Sequence, residues 1–201
     1  MIKVVTLDLD GVYFVDSHKN FKESLKTIFG LSEQQIVDVY FKSEMMKKYK
    51  LGEINGNEFW AWAITEWNIN TTKEELLNIL AKGYNINEKA KELVDKLHQQ
   101  NIKTALCTNN FIERIKVIDE KLNFLKDFDI KVFSYEVGFM KPDKNIFKAL
   151  VDNAQVISED IIYFDDSLEA VESAKSIGIT AFLYDNFEQM INKLKELGLE
   201  I

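Results

Sequence analysis

The stretch Ile2-Lys3-Val4-Val5-Thr6-Leu7-Asp8-Leu9-Asp10-Gly11 decides the fold. An apolar run from Ile2 to Leu7 stops at two aspartates and a glycine. A run this short, bounded by a turn signal, reads as a strand buried on both faces, the kind that parallel sheets contain. The pattern recurs downstream. Thr104-Ala105-Leu106-Cys107 leads into Thr108-Asn109, Ile161-Ile162-Tyr163-Phe164 leads into Asp165-Asp166, and Lys141-Pro142 lies between them. In open α/β sheets the carboxyl ends of neighbouring strands share one crevice, so four clusters far apart in sequence can occupy one small volume.

Working outward, the chain from Asn87 onward alternates helix with strand. A helix through Ala90, Leu93, Val94 and Leu97 precedes the strand ending at Cys107. Further strands are expected at 130–134, at the run ending in Phe164 and at 180–183, with helices between them and one at the end. Right-handed crossovers put these on a twisted parallel sheet, an α/β, doubly wound, Rossmann-like core. The segment from His18 to Tyr84 carries helical spacing only: Phe21, Leu25, Ile28 and Phe29, then Ile36, Val39 and Tyr40, then Phe59, Trp60, Trp62, Ala63 and Trp67. Thr72-Lys73-Glu74-Glu75 has the form of a capping box. The expected division is a discontinuous core, 1–14 plus 85–201, and a helical insertion, 15–84.

Composition excludes several classes. With 46% hydrophobic and 29% charged residues in 201, the chain can bury a substantial core. Its 33 acidic against 25 basic side chains, a formal charge of −8, leave no broad basic footprint for nucleic acid. No apolar stretch approaches the roughly 18 residues of a membrane span. Cys107 is the only cysteine, so no internal disulfide forms. Met1 runs directly into the first strand rather than a leader, and the expected compartment is the cytoplasm. A monomer or small homo-oligomer fits this composition.

The ordered clusters, with Gly138-Phe139-Met140-Lys141-Pro142-Asp143, Ile146-Phe147, Tyr163-Phe164-Asp165-Asp166-Ser167, Ala170, Ala174, Gly178 and Ile179, resemble the haloacid dehalogenase-like (HAD) hydrolase superfamily. The resemblance covers most of the chain and implies the subfamily with a helical cap between the first and second motifs. It assigns Asp10 as acid to the leaving group and then as base to the attacking water, and its backbone carbonyl as a metal ligand. Dehalogenases of the superfamily generally lack an aspartate at this place, so Asp10 favours phosphate chemistry.

The residues themselves support that chemistry. A carboxylate held in line with phosphorus can form an aspartyl-phosphate, and Asp8 is the expected nucleophile. Asp8 and Asp166 offer hard oxygen ligands suited to Mg²⁺, with Asp165 orienting or supplementing that shell. The Thr108 hydroxyl and the Asn109 backbone N–H are expected to bind phosphate oxygens at the start of the next helix, and Lys141 to supply positive charge. Each motif alone is weak: an Asp-x-Asp-Gly is usually a turn, a Thr a helix cap, a Lys a solvated charge. Their joint order carries the argument.

Other residues have competing readings. Cys107 reads as a buried strand residue, His18 as a solvated helix start or else a residue at the cap hinge, His98 as an exposed helix end, and Glu169 as either metal-supporting or a surface acid. The lysines at 42, 47, 48 and 50 read as a solvated face, one of which can meet an anionic group. Tyr13, Phe14 and Trp60 are the expected specificity residues, although helical spacing also suits Trp60 as packing. The expectation is an Mg²⁺-dependent phosphatase of a small phosphorylated metabolite, with sugar phosphates favoured. A phosphomutase on the same core and a non-catalytic phosphate-binding or regulatory protein are the alternatives. A signalling receiver carries similar groups, but its acidic pair comes first and its phosphorylated Asp later.

Overall fold

The structure is a computed structural model that describes residues 1–201. The chain opens with β1 (Val4–Leu7), turns through β2 (Phe14–Val15), and enters a run of helices: α1 (Ser17–Phe29), α2 (Glu33–Ile36) with a π-helical turn at Val37–Phe41, α3 (Glu44–Lys50), α4 (Gly56–Trp67) and α5 (Lys73–Lys82). It leaves that run through β3 (Asn85–Ile86), followed by α6 (Glu88–Gln99), β4 (Lys103–Thr108), α7 (Ile112–Leu122), β5 (Ile130–Phe133), α8 (Ser134–Val137) and α9 (Lys144–Ala154). Then come β6 (Ile161–Asp165), α10 (Leu168–Lys175), β7 (Thr180–Leu183) and α11 (Phe187–Glu196).

Five strands form one parallel sheet in the order β5-β4-β1-β6-β7. β1 is central because all four of its side chains are buried and both its edges are paired. Strand alternation sorts the side chains into two cores. Val4, Ala105, Cys107, Ile161 and Tyr163 pack on one face with α9 and α10, through Phe147, Leu150, Val171 and Ala174. Val5, Leu7, Leu106, Ile162 and Phe164 pack on the other with α6 and α11, through Leu93, Val94, Met190 and Leu194. Helices on both faces make the sheet doubly wound. No helix is long and apolar enough to cross a membrane.

The second core does not stop at the sheet. It is continuous with Phe21, Leu25, Trp60, Leu76 and Leu80 of the helices between β2 and β3. Those helices begin where the sequence supplies caps: Asn55 and Thr72 each complete a capping box, each such cap contributing about 1 kcal/mol. The chain passes into and out of this helical run side by side. β2 and β3 pair antiparallel, Phe14 opposite Ile86, and Asn87 N–H donates to the Tyr13 carbonyl at 2.9 Å.

The order β4-β1-β6 sets where a ligand can sit. β4 and β6 lie on opposite sides of β1, so the connections leaving these strands diverge and open a crevice at their carboxyl ends. Asp8, Thr108 and Asp165 all stand there.

Candidate active site

Asp8 directly follows β1, its N–H donating to the Phe164 carbonyl at 3.0 Å. Beyond it the chain makes a tight turn in which Tyr13 N–H and Phe14 N–H both donate to the Leu9 carbonyl, at 3.1 and 2.7 Å. Gly11 sits in this turn at φ +82, a conformation that side-chain-bearing residues rarely adopt. A Cβ there would also stand 2.8 Å from Asp166 Oδ2. The turn returns the Asp10 carboxylate to the crevice that Asp8 faces.

The crevice holds a cavity of about 230 Å³. Asp8, Asp10, Thr108, Asn109, Lys141, Asp165 and Asp166 all line it, as do His18, Lys50, Ser167 and Ala170, so Ala170 is the one apolar residue among its lining. Lys141 Nζ lies 2.7 Å from Asp8 Oδ1 and 2.6 Å from Asp165 Oδ2. Asn109 places that lysine: its side-chain amide donates to the Lys141 carbonyl at 2.9 Å and its oxygen accepts from Lys141 N–H at 2.7 Å. Burial works against the Lys141 ammonium, but Asp8 and Asp165 outweigh it and hold the lysine firmly protonated. Burial pushes Asp8 up to about 7, against the pull of Lys141 and with repulsion from Asp165 and Asp10. A positive charge beside Asp8 therefore favours the form able to attack phosphorus.

Asp165 is buried and fully engaged. It accepts from the Tyr163 hydroxyl, from Ser167 N–H at 2.7 Å and from Lys141. Asp166 is exposed, and partial loss of water around its carboxyl together with repulsion from Asp165 raises it. One carboxylate oxygen each from Asp8, Asp165 and Asp166 lies within 4.8 Å of the others. Three hard oxygen donors at this spacing fit a small divalent cation that keeps part of its water shell. Glu169 stands outside the group, exposed on the first turn of α10.

Asp10 has its own shell. Arg114 Nη2 donates to both carboxylate oxygens at 2.5 Å, Ser17 Oγ donates to Oδ1 at 2.7 Å, and the Tyr84 hydroxyl approaches Oδ1 at 3.4 Å. His18 Nε2 is 3.7 Å from Oδ2. Burial would raise the Asp10 carboxyl, but Arg114, His18 and the hydrogen bonds hold it well below the usual carboxylate range. His18 is itself lowered to about 4, mainly by burial, despite Asp10. Lys50 reaches the wall from the end of α3, where Ser134 Oγ donates to its backbone carbonyl at 2.6 Å, and burial with Arg114 brings its ammonium down to about 8.

Several sequence expectations need correction. Tyr13 and Phe14 do not line the cavity: both are fully buried, Tyr13 donating to Asp127 Oδ2 and Phe14 packing edge-on against Tyr84 and Phe124. The tight turn carries them under the sheet rather than toward a leaving group. Trp60 is also fully buried, in an aromatic cluster with Tyr40, Phe59 and Phe111. Thr108 and Asn109 are not at the first turn of α7, which starts at Ile112; Phe111, extended and buried, intervenes. His18 is not simply a solvated helix start, since it forms part of the wall.

Arg114, Ser17 and Tyr84 carry no signal in the sequence that ties them to Asp10. Arg114 lies on α7 between Glu113 and Ile115 and reads as one charge on an amphipathic helix. Lys50 stands in a lysine-rich stretch, and only packing separates it from Lys47 and Lys48.

Comparison with known proteins agrees with this geometry. Residues 2–178 match the model of the haloacid dehalogenase-like hydrolase family. A phosphatase of Mycobacterium tuberculosis is 23% identical over 220 residues, 98% of this chain and 95% of its own. A phosphorylated carbohydrates phosphatase of Thermotoga maritima is 31% identical over 110 residues, 53% of this chain and 49% of its own. Among solved structures, an alanine variant of a HAD family enzyme from Bacteroides thetaiotaomicron, crystallised with magnesium and inorganic phosphate, superposes with a TM-score of 0.82 at 17% identity, covering 95% of this chain and 99% of that one. The chain belongs to the haloacid dehalogenase-like hydrolase family, and it is an enzyme of the hydrolase class.

Proposed function

We propose that this hydrolase is an Mg²⁺-dependent phosphatase that removes phosphate from a small, polar monoester through an aspartyl-phosphate on Asp8. The observation that carries the reading is that Asp8 and Asp10 line one cavity together with Lys141, Thr108 and Asp166. Asp8 attacks phosphorus, its Oδ–P bond forming as the bond to the leaving oxygen breaks, while Asp10, ionised in the free site and protonated as the phosphate dianion binds beside it, gives that oxygen its proton. Water then attacks the aspartyl-phosphate, Asp10 takes a proton from it, and the Asp8 carboxylate is released with phosphate. Thr108 and the Asn109 N–H bind non-transferring oxygens, and Lys141 offsets the charge gathered at phosphorus. Asp8, Asp166 and the Asp10 carbonyl would hold Mg²⁺, with Asp165 supporting them; when bound it offsets repulsion between the carboxylates and the phosphate dianion. The magnesium in the similar Bacteroides thetaiotaomicron structure supports this choice of cation.

The helices of 15–84 act in this reading as a cap over the core of 1–14 and 85–201. Lys50 is their charged contribution to the cavity and His18 stands where the cap meets Asp10. A cavity of about 230 Å³ lies below the roughly 300–1,000 Å³ typical of pockets for drug-sized ligands. With its polar side chains, it suits the phosphate ester of a compact hydroxylated or anionic leaving group, such as a sugar phosphate, a substrate class that the Thermotoga maritima relative's name also supports.

The test separates the two aspartates. Asp8→Asn and Asp10→Asn are mixed rapidly with 2,4-dinitrophenyl phosphate, whose leaving group needs little protonation, and acid-quenched. Phosphoenzyme is expected in Asp10→Asn, which lacks the group that activates water, and not in Asp8→Asn. Equal labelling of both removes the assignment.

A further inference from the structure

Arg114 is buried to 1% exposure on α7, behind Asp10 and outside the cavity wall. Its one salt bridge is to Asp10, its Nε has no hydrogen-bond partner, and its guanidinium lies 5.1 Å from the centre of the Tyr84 ring. Desolvating a guanidinium for a single carboxylate is costly, and an apolar side chain would serve packing as well. The contacts are also unequal across the carboxylate. Oδ1 receives Arg114, Ser17 at 2.7 Å and Tyr84 at 3.4 Å, whereas Oδ2 receives Arg114 and has only His18 near it, at 3.7 Å.

We infer that Arg114 and Ser17 are positioning residues: Arg114 clamps the Asp10 carboxylate through both oxygens, and Ser17, bound to Oδ1 alone, fixes its rotation so that Oδ2 is the oxygen that exchanges the proton. The inference rests on the phosphatase reading above. In the first half of the reaction the proton on Oδ2 passes to the leaving oxygen as its bond to phosphorus breaks; in the second, Oδ2 receives a proton from water as the new O–P bond forms and the Asp8–phosphorus bond breaks. Arg114 is buried and does not line the cavity. With Ser17 it prevents the carboxylate from rotating so that the wrong oxygen, or neither, meets the leaving group. A misplaced acid harms poor leaving groups and spares good ones, a selectivity that general loss of structure does not produce.

The experiment is a leaving-group series on the full chain with Mg²⁺: aryl phosphates from 2,4-dinitrophenyl to phenyl phosphate, and glycerol phosphate as the alkyl end. The logarithm of kcat/KM is plotted against the pKa of the leaving group for wild type, Arg114→Met, Arg114→Lys and Ser17→Ala, with thermal melts recorded for each. Wild type is expected to give a shallow line. Arg114→Met is expected to stay within a few-fold of wild type for dinitrophenyl phosphate and to fall about 10²-fold for glycerol phosphate, the lower end of what a general acid contributes. Ser17→Ala should steepen the line in the same sense by less, and added guanidinium should partly restore Arg114→Met but not Asp10→Asn. Parallel lines for the Arg114 variants and for Ser17→Ala overturn the positioning role while leaving the phosphatase reading intact. If Arg114→Met does not fold, Arg114→Lys and Ser17→Ala decide by the same criterion. A wild-type chain that releases no phosphate from any member overturns the phosphatase reading, and the role of Arg114 with it.

Discussion

Lys50 shows how much a single side chain's surroundings can determine. Lys47 and Lys48 sit one turn or less away on the same helix, yet Lys50 alone of the three lines the cavity, and burial with Arg114 lowers its ammonium to about 8. Below that value it is charged and attracts a phosphate ester; as pH rises through it, the attraction is lost. KM is therefore expected to climb above about pH 8 in the wild type, and Lys50→Met should raise KM about 10-fold at pH 7 and remove that limb, since a hydrogen bond to a charged group contributes about 1.5–3 kcal/mol. Steady-state kinetics from pH 6 to 9.5 measure both. A KM in Lys50→Met that still climbs as in wild type would place the titrating group elsewhere. Asp8, Asp10, Thr108, Lys141 and Asp165-Asp166 are legible in the sequence because each terminates or follows a local pattern. Lys50, His18, Arg114 and Ser17 are not, because their place depends on how distant helices pack.

At the scale of elements, the helix α3 is held against α8 at two places: Ser134 Oγ bonds the Lys50 carbonyl, and Gly52 passes the Tyr135 backbone. Gly52 has φ +73, and a Cβ there would stand 2.5 Å from the Tyr135 carbonyl oxygen, a backbone atom that cannot swing aside. Gly52→Ala is expected to push the end of α3 off α8, destabilising the fold by about 1–3 kcal/mol and raising KM with Lys50 displaced. Thermal melts and kinetics on the same sample test it; unchanged KM would show that Lys50 does not depend on this contact. The succession of core strands along the chain and the helical character of 18–84 follow from hydrophobic period, and the Thr72 capping box from its residue types. The late start of α7 does not, because Phe111 is drawn into an aromatic cluster with Tyr49, Tyr40 and Trp60 whose members come from helices far away in sequence.

At the scale of the whole molecule, the larger of the two cores runs from one sheet face into the inserted helices. That continuity predicts a single cooperative unfolding transition by calorimetry and by far-UV signal. Trp60→Ala should lower the stability of the entire chain by about 3–5 kcal/mol without altering the ratio of kcat/KM among substrates. Two separate transitions, with only the first moved by Trp60→Ala, would mean that the inserted helices fold as an independent unit. Tyr13, Phe14 and Trp60 illustrate why aromatic residues are hard to assign from sequence: a ring beside a catalytic loop has the same residue type whether it faces substrate or core, and here the turn at Gly11 sends Tyr13 and Phe14 inward. The central claim is that this cavity hydrolyses phosphate monoesters through Asp8 with a divalent cation. It is tested most directly by phosphate release from a panel of small sugar and polyol phosphates, using wild type and Asp8→Asn, each with Mg²⁺ and after chelation. Release by wild type with Mg²⁺, lost on chelation and absent in Asp8→Asn, is the predicted result; release that survives chelation or the Asp8→Asn substitution would contradict it.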